Sequence, residues 1–196
     1  MANSPLKDPA ADALLDIVCY PAPLLKKRSR EVTPQELASG RVGDLDLKDF
    51  LPRMVATMKV ADGLGLAAPQ VGQNIRLFVA NPNEDGGQPP VICFNPVLSD
   101  ESGSAEMEEG CLSLPGIRAN IKRAERVVLS GIDEKGQPIR RECEGLEARI
   151  YQHEIDHLDG VLILQRMGTA QRFLRRQQIR ELEDVYELKQ RRKARK

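Results

Sequence analysis

The sequence predicts a mixed domain of helices and strands built around one buried helix. Three observations predict it. Segments with apolar residues at helical spacing are interspersed with short β-rich runs, one stretch reads strand–turn–strand, and residues 146–158 are apolar on two sides of a helix. Residues 1–16, with Pro5, Pro9 and several Asp and Ala, read as a flexible leader. From Ile17 the text Ile-Val-Cys-Tyr-Pro-Ala-Pro-Leu-Leu is extended and punctuated by proline. Residues 45–61 read as a helix, because Leu47, Leu51, Met54, Val55 and Met58 fall on one face. Pro52 either kinks that helix or marks its true first turn. Residues 75–80 and 91–98 are strand-like, and the Asn-, Gly- and Pro-rich stretch 81–90 between them is a loop. Residues 126–132 and 138–143 form a hairpin around 133–137.

Residues 146–158 lie between Gly145 and Gly160. Leu146, Ile150, His153 and His157 share one helical face, and Tyr151, Ile155 and Leu158 make another face apolar, as in a buried central helix. A third helix is expected over 171–190. Leu174, Ile179, Leu182, Val185 and Tyr186 would pack inward and Arg172, Arg175, Arg176 and Arg180 would face water, with 191–196 fraying beyond.

A chain of 196 residues suits one domain, and 41% apolar with 30% charged residues excludes both a disordered and a membrane-embedded chain. No apolar run approaches the roughly 20 residues that cross a bilayer. Asp8, Asp12 and Asp16 are incompatible with a secretory signal. The four cysteines, 19, 93, 111 and 143, include no close pair, which points away from a disulfide scaffold and toward a reducing cytoplasm. Basic and acidic residues balance at 29 each, so nothing marks the whole chain for DNA. The balance hides an asymmetry: residues 166–196 hold 11 basic and 4 acidic side chains, against 18 and 25 before them.

The only histidines lie in His153-Glu154-Ile155-Asp156-His157. On a helix, i and i+4 imidazoles stand on one face and can bind one ion, with the intervening Glu placed as general base. An exposed helical turn with no metal would not place these rings beside Leu146 and Ile150. A catalytic ion needs a third protein ligand and an open position. The extended peptidase motif would need His at 163, which is Ile. Glu181 or Glu183 would make a zinc endopeptidase, but both sit in an Arg-rich helix where surface ion pairing explains them as well. A thiolate is the remaining strong ligand type. Cys111 lies in Glu-Gly-Cys-Leu-Ser-Leu-Pro-Gly; it reads either as the ligand or as a packed thiol. Cys19, Cys93 and Cys143 occupy apolar or strand-like runs and read as small hydrophobes. The segment 63–72, Gly-Leu-Gly-Leu-Ala-Ala-Pro-Gln-Val-Gly, lacks the third glycine of a dinucleotide fingerprint and the Lys of a phosphate loop. Taken alone it reads as a helix C-cap followed by tight packing.

Together, Gly-Leu-Gly-Leu-Ala-Ala-Pro-Gln, Glu-Gly-Cys-Leu-Ser and Gln-His-Glu-Ile-Asp-His-Leu-Asp-Gly, in that order, resemble the three motifs of the bacterial peptide deformylase family. The opening segment from Ile17 resembles that family's as well, and the resemblance spans roughly 17–165. It implies an α+β fold of antiparallel strands around a central metal-binding helix, followed by a C-terminal helix. It also implies that Cys111, His153 and His157 bind one divalent ion and that Glu154 is the general acid/base. Gln70 and the Leu112 N–H would stabilise an oxyanion, and Gly65 would hydrogen-bond an extended peptide. Fe²⁺ is the favoured ion, with Zn²⁺, Ni²⁺ or Co²⁺ as substitutes in an isolated sample. The implied reaction releases formate from N-formyl-methionyl peptides, and helical geometry offers the Leu146–Ile150 face as a wall for the methionine side chain. The expected organisation is leader 1–16, metal-dependent catalytic domain 17–165, and basic helix and tail 166–196 packed on the same domain. That tail reads either as a solvated basic face that keeps the protein soluble or as a segment that docks on ribosomal phosphate, as related enzymes use a C-terminal helix; no membrane partner is expected. A non-catalytic module with a structural metal would need a fourth protein ligand and would leave Glu154 without a task.

Overall fold

The computed structural model describes residues 14–82 and 88–194. Most of the expected leader, most of the central part of the 81–90 loop and the last two residues of the tail lie outside that range. Helix α1 (Pro34–Ser39) is followed by the short hairpin β1 (Arg41–Val42) and β2 (Leu45–Asp46). Helix α2 (Leu47–Val60) starts where the Asp46 side chain accepts from Lys48 N at 2.9 Å. Its predicted face is buried throughout, with Phe50 added. Pro52 is inside the helix, not in its first turn.

A five-stranded antiparallel sheet follows, made of β3 (Gly65–Ala67), β4 (Leu77–Ala80), β5 (Val91–Ser102), β8 (Arg126–Ile132) and β9 (Pro138–Glu144), in that spatial order. The hairpin β8–β9 forms in the expected register, Arg126 opposite Glu144 and Ile132 opposite Pro138. β5 runs four residues past the expected end because two irregularities, near Asn95 (φ 48°) and Asp100 (φ 53°), bend it without ending the pairing. A separate two-stranded ribbon joins β6 (Ala105–Gly110) and β7 (Arg118–Arg123).

Helix α3 (Gly145–Leu158) packs across β3 and β4 on one side and against the ribbon on the other. Tyr151, Ala148, Ile150 and Leu158 join Phe78 and Leu129 of the sheet in one apolar cluster. Gln152 ties the helix to Ala124, accepting from its N–H at 3.0 Å and donating to its carbonyl at 2.9 Å. Leu146, expected on the inner face, is 39% exposed. The helix ends at Gly160 (φ 74°), where a Cβ would sit 2.7 Å from the Lys26 carbonyl, so the N-terminal segment can cross closely over it.

After the short helix α4 (Ile163–Arg166), the expected third helix is two: α5 (Thr169–Leu174) and α6 (Arg176–Lys193), broken at Arg175. Ile179, Leu182 and Tyr186 pack inward against Leu25, Ile163 and Met167. Leu174 and Val185 do not: they are 74% and 49% exposed, Leu174 at the end of α5, which the break at Arg175 separates from α6, and Val185 on the face of α6 away from Ile179. Arg191–Lys193 continue the helix instead of fraying. Among the described residues, no helix is long and apolar enough to cross a membrane.

Candidate metal centre

Helix α3 supplies His153 and His157 one turn apart, with ring centroids 5.0 Å from each other. Cys111 arrives immediately after β6. Its Sγ lies 3.2 Å from His157 Nε2, and one donor atom from each of the three residues lies within 4.8 Å of the other two. A 3₁₀ turn, Ala68–Val71, carries Gln70. Its Oε1 accepts from Ala67 N at 2.8 Å, which aims Nε2 at Cys111 Sγ (3.7 Å) and Ser113 Oγ (3.2 Å). The extended N-terminal segment holds both loops: Val18 N–H donates to the Gln70 carbonyl at 2.7 Å, and Tyr20 N–H to the Ser113 carbonyl at 2.9 Å. A Cβ on Gly63 would meet Leu112 Cδ1 at 2.9 Å, so the first and second motifs touch there.

Glu154 is 3% exposed, with one oxygen beside Gly65 and Oε2 buried without a hydrogen-bond partner among the described residues. Burial pushes its carboxyl up to about 7. Burial also holds His157 well below an ordinary imidazole, reinforced by His153. At His153 burial acts the same way but is outweighed by Cys111 and Glu109, which push the ring up to about 10. A site that draws positive charge onto a buried imidazole beside a thiol suits a divalent cation, and a sulfur with two imidazoles is a donor set for a transition metal. The residues therefore fit the ion that the motifs imply.

Sequence reasoning did not find what lies behind His153. Its Nδ1 is 2.9 Å from Glu109 Oε2. Glu109 is itself held by Arg123 (2.7 and 2.9 Å) and Arg149 (2.6 Å). Burial would raise the Glu109 carboxyl, but the hydrogen bonds from His153 and Arg123 keep it down at about 2. Glu109 and Asp156 were visible inside the motifs as two acids at 7% and 8% exposure, though only the fold reveals that burial. The Glu181 and Glu183 alternative is not supported: Glu183 accepts from Tyr20 OH at 2.8 Å and Glu181 from Gln177 at 3.1 Å, and neither joins the cluster.

The sequence profile of the polypeptide deformylase family matches residues 14–173. The chain belongs to this family. A peptide deformylase from Thermodesulfovibrio yellowstonii is 40% identical over 169 residues, covering 86% of this chain and 98% of that one. The crystal structure of the deformylase from Thermotoga maritima superposes with a TM-score of 0.70 at 38% identity, covering 79% of this chain and 98% of the other. A deformylase from Synechococcus elongatus in complex with actinonin gives 0.76 at 35% identity, over 95% of each chain. The mixed architecture of helices and antiparallel strands is thus the deformylase fold, and the family's activity is metal-dependent deformylation of peptides.

Proposed function

We propose that this chain hydrolyses the N-terminal formyl group of formyl-methionyl peptides, with Cys111, His153 and His157 as ligands of one divalent ion. Membership of the deformylase family supports the reaction, and the observation that carries the assignment of roles is the buried, unpartnered Glu154 oxygen beside the three-donor cluster. The ion would supply Lewis acidity at the formyl oxygen and lower the pKa of water from 15.7 toward about 7. Glu154 accepts the proton that the attacking water gives up. As oxygen adds to the formyl carbon, Gln70 Nε2 and the Leu112 N–H stabilise the developing oxyanion; one such donor is typically worth about 3 kcal/mol of barrier. Glu154 then delivers its proton to the amine nitrogen as the C–N bond breaks, giving formate and a free N-terminus. Gly65, at the sheet-edge strand β3, offers its backbone to the extended peptide.

The thiolate softens the site, which suits Fe²⁺ as well as Zn²⁺, and Fe²⁺ is the proposed native ion. Four unpaired thiols are consistent with a reducing cytoplasm. Residues 17–165 are the proposed catalytic domain, 1–16 its leader, and 166–196 a basic C-terminal segment and tail, of which α6 seats on the domain through Ile179, Leu182 and Tyr186. The basic excess of this segment suits ribosomal phosphate.

Glu154→Ala tests the assignment. The variant should retain its metal and lose formate release by about 10²- to 10⁴-fold. Turnover near wild type would remove Glu154 from the chemistry. Metal content of protein purified without oxygen, assayed together with formate release, tests the choice of Fe²⁺; an active preparation loaded with zinc alone would reject it.

A further inference from the structure

Asp156 stands between the two histidines in sequence but faces away from them. Its Oδ2 accepts from Arg123 NH1 at 2.8 Å, and its two oxygens accept from Arg166 at 2.5 and 3.1 Å. Arg123 is 6% exposed and is shared by two carboxylates, since its Nε and NH2 grip Glu109. Each Glu109 oxygen is then doubly used: Oε1 by Arg123 and Arg149, Oε2 by Arg123 and the His153 ring. A carboxylate filled in this way has one place left for the Nδ1 proton of His153, which fixes the tautomer and leaves Nε2 with the lone pair.

We propose that Asp156, acting through Arg123 and Glu109, is a positioning residue for His153 and sets how strongly that ring binds the ion. This rests on the ligand set proposed above. Two things follow if Asp156 loses its charge. The plane of Arg123 is no longer pinned from α3, so its fork on Glu109 is free to tilt. Two buried guanidinium groups also then face one carboxylate, and Glu109 gives more of its electron density to them and less to the His153 N–H. Both changes make His153 a poorer ligand. A purely structural ion pair between α3, β7 and α4 would instead alter stability and leave the metal untouched.

The test uses apo-protein reloaded with Co²⁺ under exclusion of oxygen. Chelator competition reads the affinity, the thiolate charge-transfer and ligand-field bands read the coordination, and a thermal midpoint reads folding. Asp156→Asn should weaken Co²⁺ binding by about 10-fold, the low end for groups that orient a ligand. Its ligand-field bands should shift in the same direction as those of Glu109→Gln, and by less. Affinity and bands equal to wild type, at any thermal midpoint, would overturn the proposal. If Asp156→Asn does not fold, Arg166→Gln decides, because it loosens Asp156 from a half-exposed side. A smaller shift in the same direction supports the proposal, and an unchanged affinity and spectrum overturn it. Wild-type protein with no thiolate band would instead reject Cys111 as a ligand, a failure of the ligand set itself.

Discussion

A Cβ built on Gly65 would lie 2.7 Å from Glu154 Cδ, in a place where the carboxyl has no slack. Gly65→Ala should therefore displace the proposed proton carrier while leaving the three donors in place. The expected result is a loss of kcat of about 100-fold or more with normal metal content. A variant within twofold of wild type would mean that Glu154 can move aside at no cost. At this scale the proposed ligands were legible because a helix turns i, i+4 spacing directly into geometry, and Cys111 was legible only through its motif. Glu109, Arg123 and Arg149 were not legible. In sequence they are three more charged residues on strands and a helix, and only the fold shows them buried and matched in charge.

Among the elements, those with a continuous apolar rhythm were read closely. The hairpin β8–β9 and helices α2 and α3 differ from expectation by a residue or two. The ribbon β6–β7 was missed because Ala-Glu-Met-Glu-Glu-Gly has a poor strand composition and the inner row of β7 ends on Arg123. The elbow at Arg175 was missed because neither glycine nor proline marks it. That elbow separates two residues that periodicity had grouped together. Ile179→Ala, at 9% exposure, should destabilise the protein by about 2 kcal/mol. Leu174→Ala, at 74% exposure, should change stability by less than about 0.5 kcal/mol. Denaturant unfolding of the two variants checks this, and equal effects would place α5 against the core after all.

Over the whole molecule, charge is partitioned: residues 166–196 carry a basic excess, and within them α6 commits its inner face to the core. Deleting that helix would uncover Ile179 and confuse docking with unfolding. Changing exposed Arg176, Arg180, Arg191 and Arg192 to Glu leaves the inner face intact. Co-sedimentation with ribosomes should then fall, and wild-type binding should weaken as salt rises. Equal pelleting of both proteins would reject docking.

The ribbon whose connection begins at Cys111 shares no ladder with the five-stranded sheet, whereas both histidines belong to the helix packed on that sheet. An ion gripped by sulfur and imidazole would act as a removable rivet between two separately built parts. Stripping it with a chelator should accelerate amide exchange in 105–123 well before the β4–β5 amides respond. Whenever the ion is scarce, the unriveted chain would become a preferred target for proteases at that ribbon.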